Sequence, residues 1–189
     1  MKTRVALLTF TLCLSALFSR AADPVIDALV ARIQANPASA PALTAQAAAA
    51  NQALASDIFK AAFDAAPDQV NEIVKATAAT TPTLAGSAVE QALIKLTAGL
   101  NPQAAAKVAA ATTSAAIDAL PASTPPDVKS KIVAAIASSA IKVVPNSKSV
   151  VLEAAGKSAP DSAEVVSRKV NDNGNFPTQR PPIIVSPSR

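Results

Sequence analysis

Prolines fall at near-regular intervals through a chain that is otherwise rich in alanine. In its body they stand at Pro24, Pro37, Pro41, Pro67, Pro82, Pro102, Pro121, Pro125, Pro126, Pro145 and Pro160. Alanine is the best helix former because it loses no side-chain entropy on helix formation. Only 4 glycines interrupt the 189 residues. Proline has no N–H, which a first-turn helical residue does not need, and its φ is already helical. Prolines, single or in close pairs, that recur about every 13 to 26 residues in such a background therefore mark a row of helix starts.

Alignment on the prolines supports this. The sixth residue after Pro24, Pro67, Pro102, Pro126, Pro145 and Pro160 is Val30, Ile73, Val108, Ile132, Val151 and Val166. Each is branched and apolar. After Pro41 and Pro82 the same place holds Ala47 and Ala88, a departure from the pattern. Asp68, Asp127, Asn146 and Asp161 directly follow their prolines, and acidic groups in a first turn suit the helix dipole. Asp23, ahead of Pro24, is an N-cap candidate.

The intervening segments are amphipathic at helical spacing. Val25, Ile26, Leu29, Val30 and Ile33 share one face, as do Val89, Leu93, Leu96 and Leu100. Val128, Ile132, Val133, Ile136, Ala140 and Val143 form a third stripe, with Lys129, Lys131, Ser138 and Lys142 opposite. No segment alternates with the period of a strand. Short and long proline spacings alternate loosely, which suggests a unit of roughly 34 or 35 residues, the size of a helix pair. The expected fold is all-α: about eight helices in a helix-pair, solenoid-like array or an irregular helical bundle over 22–170. The named helix-pair consensus patterns are not matched.

The N-terminus is different. Lys2 and Arg4 precede an apolar run from Val5 to Phe18, and Ser19 and Ala21 sit at −3 and −1 of a cut before Ala22. This is the pattern of a cleaved signal peptide over 1–21, too short for a comfortable membrane span. Cys13 follows Leu12, where a lipoprotein would need a small residue. Removal of Lys2, Arg4 and Arg20 takes the formal charge from +4 to +1, so the basic balance gives no hint of nucleic acid. The remaining chain has no cysteine and no disulfide, so packing alone must hold it together. The expected location is the periplasm or outside the cell.

What is missing bounds the chemistry. Beyond residue 21 there is no His, Cys, Trp, Tyr or Met, and the only aromatics are Phe59, Phe63 and Phe176. The commonest acid–base and nucleophilic groups are therefore gone, as are imidazole and thiolate ligands and the platforms on which bases stack. Ser139 and Lys142 match S-x-x-K, but without the companion motifs of the enzymes that use it. "NDNGN" at 171–175 resembles a calcium loop, yet with Gly174 at position 6 the required acids at positions 1 and 12 are Lys169 and Arg180. Asp161 and Glu164 are better read with Arg168 as helix-surface charges. Thr44, Thr77, Thr97 and Thr112 do not keep the 11-residue beat of an ice-binding face.

These features point away from an enzyme, with no cofactor and no metal, and toward an exported scaffold whose partner is another protein. The alternative is a lipid-surface protein, although Ala, Val and Ile faces suit helix contacts better than insertion. Residues 171–189 change character: Asn173-Gly174 is a turn signal, and Pro177, Pro181, Pro182 and Pro187 favour extended backbone. Ile183, Ile184 and Val185 form a β-prone triplet in this tail. They are the candidate partner-binding residues, by addition to a sheet edge.

Overall fold

The computed structural model describes residues 23–174. Nine α-helices run through them: α1 Pro24–Ala35, α2 Ala40–Ala50, α3 Ala55–Ala65, α4 Val70–Thr80, α5 Ala85–Leu96, α6 Pro102–Asp118, α7 Pro126–Val143, α8 Lys148–Ser158 and α9 Ala163–Gly174. Among the described residues there is no strand. The last helix extends into the stretch expected to form the tail. The signal region 1–21 and the triplet Ile183, Ile184 and Val185 lie outside the described residues.

Six junctions share one geometry. The helix stops at Asn36, Asn51, Ala66, Thr81, Val144 or Ala159, whose φ lies between −148 and −125 and ψ between 64 and 85. A three-residue 3-10 turn follows, and the next α-helix grows directly out of it. The stopping residue's N–H still donates to the carbonyl four back, as Ala66 does to Ala62 at 2.9 Å. Its own carbonyl accepts from the residue three on, as Ala66 does from Gln69 at 3.0 Å. The residue between, which donates in neither bond, is proline at five junctions: Pro37, Pro67, Pro82, Pro145 and Pro160. Proline also disfavours the α region for the residue before it. Gln52 takes the place at the remaining junction and the geometry is the same, so proline favours the break without being required for it. Pro41 is the second residue of α2 and starts nothing; Pro37 sets that register.

The junctions at Asn36, Asn51, Ala66 and Thr81 are 15 residues apart, as are those at Val144 and Ala159. The helix pair is thus 30 residues in the first half, shorter than the 34 or 35 expected. Helices two apart pack on each other throughout: α1 on α3, α2 on α4, and so on to α7 on α9. The result is two rows, odd helices in one and even in the other, joined by contacts such as α2–α3, α4–α5 and α6–α7. The molecule is a helix-pair array.

Burial follows the junction register. In α3, α4 and α5 the positions 4, 7, 8, 11 and 12 beyond the stopping residue are all buried: in α3 these are Ala55, Ile58, Phe59, Ala62 and Phe63. That spacing is one face of a helix. The two ends of the array separate the roles. In α9 positions 8 and 12 are the polar, exposed Ser167 and Asn171, whereas positions 7 and 11, Val166 and Val170, are buried. In α2 the reverse holds: Thr44 and Ala48 are buried while Leu43 and Ala47 are half-open. Positions 8 and 12 therefore face onward along the array, and positions 7 and 11 face back. Ala88 after Pro82 is fully buried at position 7, so it fills the same role as the branched residues.

Small residues set the closest approach. A Cβ on Gly86 of α5 would lie 3.3 Å from Ser139 Oγ and 3.5 Å from the Ala135 backbone of α7. Gly86→Leu should push these helices apart and cost about 1–3 kcal/mol by overpacking. A thermal melt of the variant beside the parent checks it, and an unchanged melt would show that α5 and α7 are not held at this spacing. Three residues expected on apolar stripes are instead exposed, Val25 in the first turn of α1 among them. Leu100 lies in the turn beyond the end of α5, and Val128 in the first turn of α7.

Candidate functional site

Each sequence motif finds an ordinary place. Ser139 packs against Gly86, and Lys142 Nζ donates to Glu90 Oε1 of α5 at 2.7 Å. The lysine is thus engaged across the helix pair, not on the serine. Asn171 to Gly174 form the last turn of α9, not a loop that could wrap a cation. Among the described residues no three acidic, His or Cys groups come together as a metal site. Arg168 donates to Glu164 at 2.7 Å, the helix-surface ion pair expected from the spacing. Thr44, Thr77 and Thr112 are buried, which removes them from any surface face. The hydroxyls of Thr44 and Thr113 are buried without a hydrogen-bond partner, but neither lines a groove.

Exposed large apolar residues are scattered over five helices and one turn: Val25, Ile94, Leu100, Val128, Val150 and Val165. No described helix is long and apolar enough to cross a membrane.

The even row carries an open depression. α6 and α8 lie side by side, and the groove between them has a volume of about 670 Å³. The half-buried Ala106, Ala110 and Ala154 form its floor, because both helices present small side chains there, and the exposed Ala111 stands at its edge. Val150, 36% exposed, stands at the α8 side. Lys107 lines the other wall, together with Gln103 and Ser114. Glu153 and Lys157 are one helical turn apart on α8 and are paired at 2.6 Å. The hydrogen bond and charge of Lys157 hold the Glu153 carboxyl below its ordinary range. Among the described residues no carboxylate pairs with Lys107. A second groove, between α4 and α6, adjoins the first at Ala111.

The sequence gives little contrast from which to read this groove. α6 has alanine on both faces: Ala105, Ala109 and Ala116 are buried, while Ala106, Ala110 and Ala111 line the opening. The one usable signal is the lone Lys107 in that alanine run.

The chain matches no family model, no curated protein and no solved structure.

Proposed function

We propose that this chain is an exported, non-enzymatic helical scaffold and that the α6–α8 groove receives a helix of another protein. The observation that carries the reading is the alanine floor beside Lys107, which pairs with no carboxylate among the described residues. A floor of methyl groups lets a second backbone lie close, and stacked helix arrays commonly bind along such faces. Lys107 favours a partner helix with a carboxylate beside its small apolar face. The scattered exposed apolar residues give a lipid surface less to hold.

The exported protein, used as bait on the envelope fraction, should retain one partner. Ala110→Glu, which fills the floor, and Lys107→Glu, which reverses the wall charge, should each weaken that retention at least about ten-fold. Ala49→Glu, on the exposed side of α2, should leave it unchanged. Equal retention by all three would end the groove reading. Flotation of the protein with liposomes would favour the lipid alternative.

A further inference from the structure

The two ends of the array are finished differently. At the C-terminal end the onward positions of α9 are Ser167 and Asn171, and Glu164, Arg168 and Lys169 are exposed beside them. This is a polar closing face, as a terminal repeat requires. At the N-terminal end the corresponding face is largely apolar. The backward positions of α1 are Ala28 and Arg32, both exposed, and Val25 is 37% exposed beside them. The backward positions of α2, Leu43 and Ala47, are half-open. Between the two helices lies a groove of about 510 Å³, and Arg32 is the sole charged residue of its lining.

α1 carries opposite charges at its two ends. Arg32 is in its last turn, and Asp23 caps its start. The Asp23 carboxylate accepts from the Val25 N–H at 2.9 Å, which holds it at the end of α1 where Val25 lines the groove. Among the described residues neither charge is in an ion pair. Arg32 lies beyond Ala28 by about 6 Å along the axis, and Asp23 lies before it by about 7.5 Å. A second α1, laid antiparallel across the first at Ala28, therefore brings Arg32 of each copy to Asp23 of the other. A methyl group at the crossing lets the two axes approach to about 8 Å. The contact uses one patch twice and closes at two copies. Head-to-tail stacking has no such match, because it sets Arg32 toward Arg168 and Lys169 and the apolar Leu43 toward a polar face.

We propose that the N-terminal end of the array is a dimer interface, in which the α1–α2 groove of each copy takes the other copy's α1, antiparallel and crossing at Ala28. The contact uses none of the residues that line the α6–α8 groove, so it stands apart from the helix-binding reading of that groove.

The test uses the exported protein, expressed from the full chain with Cys13→Ser so that an introduced thiol is the only one. Ala28→Cys places two thiols face to face on the two-fold axis. Under mild oxidation it should form a covalent dimer at least about ten-fold faster than Ala49→Cys, which is exposed on α2 and does not line the groove. Equal rates overturn the proposal. So does a parent protein that sediments as a monomer at every concentration, or an Ala28→Cys thiol that cross-links to a different protein in place of its own copy. Charge exchange reads the register. Arg32→Glu and Asp23→Lys each set like charges together and should weaken self-association at least about ten-fold. Neither residue is buried, so both variants should keep the parent's helical circular dichroism. Mixed one to one, they regain both ion pairs and should dimerise again. A mixture that stays monomeric overturns the antiparallel pairing.

Discussion

Ile73→Asp should unfold the array under conditions in which Lys131→Ala leaves it intact. Ile73 is 0% exposed and stands at a backward position of α4, on the side turned to α2. Its neighbours in the register are alanine, valine and threonine, and none offers a charge to pair with a carboxylate. A buried unpaired acid at this place costs about 3 kcal/mol or more. Ile132→Asp should follow it with a smaller loss, because Ile132 keeps 7% exposure near the start of α7. Lys131 is exposed, and its removal should stay within about 0.5 kcal/mol. Urea unfolding followed by circular dichroism measures all three. Similar midpoints for the Ile73 and Lys131 variants would mean that the helix faces are assigned wrongly.

Phe59→Ala should destabilise the first half of the array almost as much. Phe59 and Phe63 are the two aromatic residues of the described chain, stacked with ring centroids 6.2 Å apart and 17° between planes. Both are fully buried at the onward positions of α3. The same positions in α2 hold Thr44 and Ala48. Alanine-rich helices already in contact have no long side chains with which to fill a vacated ring. Loss of a buried phenyl under such conditions costs about 3–5 kcal/mol. Phe59→Leu keeps most of the volume and should cost less than about 1.5 kcal/mol. The difference between the two variants reads the cavity itself. A Phe59→Ala melt that matches the parent would show that the pair is not a packing centre.

The proline spacing made the helical class legible, since proline acts on its own backbone and on its immediate neighbour. The branched residue six places on marked the buried backward position: Ile73, Val151 and Val166 are almost fully buried, and Ile132 nearly so. Val30 and Val108 are half-buried. The junction at Asn51 was not legible, because Gln52 replaces proline and the hydrogen bonds that define the stop are main-chain bonds. Missing that junction hid the 15-residue period and inflated the unit. The α6–α8 groove was hidden for another reason. A methyl side chain is compatible with both burial and exposure, so an alanine run gives no contrast between the faces of a helix.

The alternation of rows gives the array a parity. Each 15-residue unit with its junction reverses the row in which the next helix lies. Duplication of one unit would therefore transpose every helix that follows, moving the α6–α8 groove from one side of the molecule to the other and placing side chains shaped for one row into the other. Duplication of two units would leave each later helix in its own row and simply lengthen the molecule. An array of this kind can lengthen or shorten by pairs at little structural cost. A single-unit step is open only at its two ends, where nothing downstream has to change sides.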